Sequence, residues 1–283
     1  MTSTAIVTGA ASGIGLSLSR ALRQHGHHVV MTDVDEERLD AEVARSGGNG
    51  VEGHTLDVRD ADAVRDLVQR VARERGRLDM IFNNAGIGAG GETDQLIPAH
   101  WDRVIDINLK GVVNGVSAAY PIMVDQGFGH IINTASLAGL LPTPFLAPYV
   151  MTKHAVVGLS LSLRGEAVAK GVRVTAVCPG TIDTPFFERG APADLPRSRL
   201  RDAIDAKNKA NKQHFAAKFF KLYPPDRLAE DILKGVRQNK ALIVMPTSAR
   251  VQWWARRLAP GVTDRVTTAL AASVWKSLPE LHS

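Results

Sequence analysis

The sequence of 283 residues predicts a doubly wound α/β domain on a parallel seven-stranded sheet. Three observations lead there. Short apolar runs rich in Val and Ile alternate with longer stretches of helical spacing, as parallel strands joined by crossover helices require. A glycine-rich turn stands between the first apolar run and the first helical stretch. Composition is globular, with 45% hydrophobic and 22% charged residues, enough apolar side chain for a sizeable core, which excludes disorder as the main state.

Ala5 to Thr8 is the first strand, and Leu18, Ala21 and Leu22 recur at helical spacing from Ile14 until Gly26. Val29 to Thr32 is the second strand. Helical Ala41 to Ala44, strand-like Val51 to Leu56, helical Ala61 to Arg75 and strand-like Met80 to Asn83 repeat the alternation. One helix is then expected over His100 to Val124, a strand over His130 to Thr134, a helix over Tyr149 to Lys170, and strands over Val172 to Val177 and Ala241 to Met245. No low-complexity linker or repeat interrupts them, so a single domain is expected over residues 1–245. A lid at about 184–225 is inserted in it, and a helical extension follows over 246–283.

Cys178 is the only cysteine, which excludes an internal disulfide, and no Cys/His cluster has zinc-ligand spacing. The start of the chain does not read as a signal peptide, and no stretch approaches 18 apolar residues. A cytoplasmic setting is the expectation, with no metal. The net charge is +5, and the segment from Thr184 to Leu222, with nine basic and four acidic residues, carries a surplus of the same size. A solvated helical face accounts for it better than nucleic-acid contact. His25, His27 and His28 cluster near the end of the first helix, where a helix C-terminal charge role is the simpler reading. Cys178 reads as a buried thiol.

The first strand runs through Gly9, Ala10, Ala11, Ser12, Gly13, Ile14 and Gly15 straight into a helix, the setting of a Rossmann-type dinucleotide turn. Gly9 permits the tight turn, Gly13 lets the backbone approach a pyrophosphate, and Gly15 lets the helix pack close to the strand. The helix N-terminus supplies free N–H donors. Asp33 ends the second strand 18 residues beyond Gly15. A carboxylate there suits the adenine ribose of NAD and repels the extra phosphate of NADP, and no Arg or Lys lies in Gly9 to Gly15 or Val29 to Glu37. Alternatively, Asp33 opens a turn and caps the next helix.

These residues resemble the short-chain dehydrogenase/reductase family. Its Gly-x-x-x-Gly-x-Gly spacing is present, followed in the family's order by Asn83-Asn84-Ala85-Gly86, Asn108, Ser136, Tyr149-x-x-x-Lys153 and Pro179-Gly180 with Thr184, over roughly residues 4 to 245. The resemblance implies an NAD-linked oxidoreductase, with NADP the less favoured cofactor. It places Asn84, Ala85, Gly86, Asp57, Val58, Pro179, Gly180, Ile182 and Thr184 against the cofactor, Lys153 on the nicotinamide ribose, and a relay water at Asn108. It also implies homodimers or homotetramers built on the helices carrying Asn108 and Tyr149.

The chemistry supports the same residue types. Tyr149 and Lys153 are i and i+4 and project from one helix face. A phenol is a poor base at neutral pH, but a nearby ammonium favours the phenolate. Tyr149 is then the acid/base, taking a hydroxyl proton as hydride passes to the nicotinamide. Ser136 donates to the reacting oxygen, unless it serves only as a helix cap. Leu137 and Phe186 are placed at the substrate with Ser136 and Tyr149.

Apolar residues after Ser136 (Leu140, Leu141, Phe145, Leu146) and in the lid (Phe187, Phe215, Phe219, Phe220) favour a bulky hydrophobic secondary alcohol or ketone, such as a steroid, retinoid, terpenoid or fatty-chain compound. The basic lid favours instead a CoA- or carrier-protein-linked acyl thioester. A third reading, of another class, is a dinucleotide-sensing protein without turnover. In the extension, Val251, Trp254, Ala255 and Leu258 fall at i, i+3, i+4 and i+7 beside Arg250, Arg256 and Arg257, with Pro260-Gly261 ending the helix and a second one over Asp264 to Leu278. That stripe is expected to pack on the core or another subunit; the alternatives are a peripheral membrane anchor with Trp253 and closure over the substrate pocket.

Overall fold

The apolar runs become seven strands: β1 (Thr4–Thr8), β2 (His28–Asp33), β3 (Val51–Thr55), β4 (Met80–Asn83), β5 (Gly129–Thr134), β6 (Val172–Pro179) and β7 (Leu242–Met245). The computed structural model describes residues 2–48, 50–88, 90–184, 186 and 222–276. Every described strand pair is parallel, in the order β3-β2-β1-β4-β5-β6-β7. β1, β4 and β5 are buried along their whole length, as central strands covered on both faces must be. The winding reverses between β1 and β4, which opens a crevice above their carboxyl ends.

Helices α1 (Gly13–Gln24), α2 (Glu36–Arg45), α3 (Ala61–Arg75), α4 (Pro98–Ile105), α5 (Gly111–Gln126), α6 (Ala147–Ala167) and α7 (Pro225–Arg237) cover the sheet. One face buries Leu18 and Leu22 of α1 with Leu228 and Ile232 of α7. The other buries Val64 and Val68 of α3, Val116 and Met123 of α5, and Val156 and Leu163 of α6.

Three stretches differ from the sequence expectation. α2 begins five residues before Ala41 because Asp35 caps it, its Oδ1 accepting from the N–H of Arg38 at 3.2 Å. The single helix expected over His100 to Val124 starts at Pro98, where proline suits the first turn, and is broken by a π turn, Asp106–Lys110, between α4 and α5. The extension forms α8 (Thr247–Leu258) and α9 (Pro260–Lys276), α9 opening on Pro260 rather than at Asp264. Its predicted stripe does not face the core. Val251, Trp254 and Leu258 are 63%, 49% and 78% exposed, whereas Ala249 is buried and Trp253 packs on the α5/α6 core. Small Ala249 lets the backbone approach Gly180: a Cβ on that glycine would lie 3.0 Å from its methyl carbon. That contact rotates the helix away from the face that apolar spacing selects. Most of the lid, with Phe187, Phe215, Phe219 and Phe220, lies outside the described residues. Among the described residues no helix is long and apolar enough to cross a membrane.

A buried polar chain ties the sheet to α6. Asn83 Nδ2 donates to Asn133 Oδ1 at 2.8 Å, and Asn133 Nδ2 donates to Ser160 Oγ at 3.0 Å. α5 passes so close that a Cβ on Gly115 would sit 1.9 Å from Asn83 Oδ1, an amide already held by Asn133. Gly115→Ala should therefore destabilise the fold by about 1–3 kcal/mol through overpacking. A denaturant midpoint equal to that of the parent would show that the Asn83 amide swings aside freely.

Candidate active site

The glycine turn lies over the crevice. Gly9 and Gly13 have φ of +66° and +54°, a region costly for any residue with a Cβ. A Cβ on Gly15 would come within 2.1 Å of the Gly9 carbonyl oxygen, so α1 starts hard against the turn. Ser12 is the N-cap residue, but its side chain caps nothing. The first N–H groups of α1 are left pointing out of a helix of 12 residues. A large cavity of about 1180 Å³ opens there, lined by Gly9, Ser12, Gly13 and Ile14 among others. Bare glycines, uncapped donors and a positive dipole end fit the pyrophosphate of a dinucleotide.

Asp33 borders the same cavity. Its two carboxylate oxygens accept from the N–H of Ala11 at 2.9 Å and of Asp35 at 3.1 Å, and the helix cap is Asp35, not Asp33. Arg38, which the sequence reading passed over, also lines the cavity but is ion-paired with Asp35 at 3.2 Å. Asp57 and Val58 reach the cavity too, with the Asp57 carboxylate clamped by Arg59 at 2.6 Å. That hydrogen-bonded pairing holds the Asp57 carboxyl below its usual range.

Across the crevice, Thr8 Oγ1 accepts from the N–H groups of Asn84 at 2.9 Å and Ala85 at 3.0 Å, and Asn84 Nδ2 donates to the Thr8 carbonyl at 3.0 Å. Asn108 sits fully buried in the π turn. Both ends of its amide hold Ile87, Oδ1 accepting from the N–H at 2.8 Å and Nδ2 donating to the carbonyl at 2.9 Å. The expected ordinary helix around Asn108 is absent: the wider turn aims this amide at the loop after Gly86.

Tyr149 and Lys153 project together from α6, 7% and 2% exposed, with Nζ 5.7 Å from the phenol ring centroid. Nζ donates to the Thr134 carbonyl at 2.8 Å. Burial pushes the Tyr149 phenol up to about 12, opposed by a side-chain hydrogen bond from Ser136. Burial also brings the Lys153 ammonium down to about 8. In the chain by itself, then, desolvation sets the phenol, and the i, i+4 pairing with Lys153 alone does not depress it. Ser136 does cap the short turn Leu137–Gly139, its Oγ accepting from the N–H of Ala138 at 3.1 Å. Capping uses an acceptor lone pair and leaves the hydroxyl proton for Tyr149. Neighbouring Cys178 is fully buried, with its thiol pushed up to about 12.

Pro179, Gly180, Ile182 and Thr184 form the next stretch of the lining, with Leu137 nearby. Phe186 meets the Tyr149 ring edge-on, centroids 5.8 Å apart. The histidines lie elsewhere: His25 pairs with Glu230, His27 with Ser3 and His28 with Glu52. Sequence reasoning missed Thr8, Ile87 and Thr134, and of the cavity residues on α8 and α9 it named Ala255 and Arg256 but not Gln252, Thr263, Val266, Thr267 or Leu270. Thr8 was findable, as a polar residue ending a buried run just before the glycine turn. Ile87 acts through its backbone groups, and Thr134 holds Lys153 through its carbonyl, contacts that leave no sequence signal.

A doubly wound sheet with a glycine turn and an uncapped helix at its switch point defines the dinucleotide-binding class of α/β folds. Residues 3–193 match the family model described as short chain dehydrogenase, and the chain belongs to that family. It is 35% identical over 258 residues to the probable oxidoreductase EphD of Mycobacterium tuberculosis, covering 90% of this chain and 43% of that one. The chain thus spans less than half the length of that relative. To the 3-oxoacyl-(acyl-carrier-protein) reductase FabG of Thermotoga maritima it is 36% identical over 186 residues, covering 65% of this chain and 76% of the other. The crystal structure of a short chain dehydrogenase/reductase from Burkholderia phymatum in complex with NAD superimposes with a TM-score of 0.77 at 30% identity, over 91% of this chain and 95% of that one.

The buried Lys153 gives a stability signature. Its folded value of about 8 lies below the ordinary 10.5, so the unfolded state binds more protons between those values. Its contribution to stability therefore rises as pH climbs through that window, by at most about 1.4 kcal/mol per pH unit. Tyr149 and Cys178, both raised to about 12, act oppositely, the thiol from about pH 9 and the phenol from about pH 10. Lys153→Met should remove that rise, so that its Tm falls away from the parent's as pH climbs from 8 to 10. Parallel profiles would show that the ammonium is not desolvated.

Proposed function

We propose that the chain is an NAD-dependent oxidoreductase that interconverts a hydrophobic secondary alcohol and its ketone, with Tyr149 as acid/base. The observation that carries this reading is the meeting of Tyr149, Ser136 and Lys153 on the cavity that also holds the glycine turn and Asp33. NAD supplies the hydride acceptor or donor. Asp33, fixed by two backbone N–H groups, meets the adenine ribose and disfavours a phosphate in its place. Lys153 holds the nicotinamide ribose. Its ammonium and the positive cofactor ring together lower the Tyr149 phenol from its buried value, so that the phenolate takes the substrate hydroxyl proton. In reduction the phenol returns that proton to the developing alkoxide. Ser136 donates to the reacting oxygen, and Asn108 positions the loop at Ile87 through its amide.

Leu137, Leu141, Leu146 and Phe186 give the cavity apolar walls near Tyr149, which suit a hydrophobic substrate. A second reading, reduction of a carrier-linked 3-oxoacyl group, draws on the similarity to FabG and on Arg103 at the cavity wall. α5 and α6 leave Val113, Met151 and Leu161 41%, 42% and 40% exposed, which suits burial against a second copy in a homo-oligomer.

Nicotinamide absorbance with steroid, terpenoid and aliphatic secondary alcohols, and with an acyl thioester, tests the reading. Turnover is expected with NAD⁺ and a free alcohol, and Tyr149→Phe should lower kcat by about 10²–10⁴-fold while NAD⁺ still binds. Retained activity would remove Tyr149 from the chemistry, and tight NAD⁺ binding with no turnover of any compound would favour a sensor. Asp33→Ala should erase most of the preference for NAD⁺ over NADP⁺. An unchanged kcat/KM ratio would place cofactor choice elsewhere.

A further inference from the structure

The cavity is larger than the ~300–1,000 Å³ usual for one small-molecule site. Beyond the nucleotide turn and Tyr149 its lining takes in Ala255 of α8 and Val266 and Leu270 of α9. We propose that the α8–α9 hairpin is the outer wall of the substrate chamber, and that these three residues select a substrate with an elongated apolar chain. The proposal rests on the alcohol/ketone reading of the site and adds the shape of the substrate to it.

Val266 and Leu270 are i and i+4 on α9, so they share one face. They are 53% and 62% exposed although they border the cavity, which makes them apolar surface at its mouth. Leu141 and Leu146 line the same cavity from the loop after β5. A chain extending outward from Tyr149 would therefore meet hydrocarbon from both elements.

The wall is held in place at both ends. Ala249 of α8 packs on Gly180, in the loop that borders the proposed nicotinamide site. At the hairpin corner Arg256 donates to the Pro260 carbonyl at 2.9 Å and pairs with Asp264 at 2.5 Å. Arg256 lines the cavity, yet its charge is already matched by that carboxylate. On this wall the described residues thus offer hydrocarbon, the Gln252 amide and threonine hydroxyls rather than an unmatched cation for a phosphate or carboxylate.

The test measures kcat/KM for 2-alkanols of increasing length with NAD⁺, and fluorescence of cis-parinaric acid, a long-chain fatty acid, titrated into the NAD⁺-loaded protein. For the parent, kcat/KM should rise about 4-fold per methylene over part of the series, the equivalent of ~0.8 kcal/mol per buried methylene. Leu270→Asp and Val266→Asp should each lower the long-to-short ratio at least tenfold, while Val251→Asp, exposed on α8 and outside the cavity lining, should not. Ratios unchanged in both aspartate variants would overturn the proposal, as would a change of oligomeric state on gel filtration, which would make this face a subunit contact. If no alcohol is turned over, the parinaric acid titration decides. Binding that weakens tenfold in Leu270→Asp keeps the wall and removes the alcohol reading, whereas no binding, or equal binding, removes the wall.

Discussion

The hydroxyl of Thr8 spans the place where the sheet changes direction. By accepting from the N–H groups of both Asn84 and Ala85, it ties the end of β1 to the loop after β4. Neighbouring parallel strands diverge there because their crossovers leave in opposite senses, so backbone groups at the crevice lack ladder partners. One side-chain oxygen satisfies two of these donors. Gly9 can then lie against Ala85, where a Cβ on the glycine would come within 2.8 Å of the Ala85 Cα. The position of the glycine turn, the start of α1 and the opening of the cavity all follow from that cross-strand tie.

Tyr149 and Lys153 illustrate what such a site demands of the fold. Both are almost wholly removed from solvent, and burial drives each towards its neutral form, the phenol up and the ammonium down. The protein offsets part of this with the Thr134 carbonyl below Nζ and the Ser136 hydroxyl beside the phenol. Neither partner carries a full charge. The charge state of the pair is therefore set mainly by desolvation, with these two hydrogen bonds working against it.

The two ends of the chain are built on different logic. α1 to α7 bury continuous apolar faces against a sheet whose register leaves little freedom. Among the described residues of α8 and α9, Ala249 is buried and Trp253, Arg256, Thr267 and Ala271 are half-buried, whereas Val262, Val266 and Leu270 are open. Apolar surface kept at the rim of a deep cavity is the observation on which the proposed substrate wall rests.

Much of the architecture was legible in the sequence because it rests on local rules. Strand runs, the glycine turn and the i, i+4 pairing of Tyr149 with Lys153 are short-range patterns that lie where they were expected, and the helix periods differ at the starts of α2 and α9 and at the break between α4 and α5. Three features were decided by contacts between residues distant in the chain. The π turn at Asn108 is joined to the backbone of Ile87, which no spacing encodes. The rotation of α8 follows from Ala249 seating on Gly180, so that the apolar stripe read from its periodicity faces outward. The protonation of Tyr149 is governed by burial, a property of the packed whole, which outweighs the hydrogen bond from Ser136. Residue type and spacing thus determined which groups reach the crevice; only packing across the chain decided how they are turned there, and in which charge state, because orientation and desolvation depend on everything that surrounds a group at once.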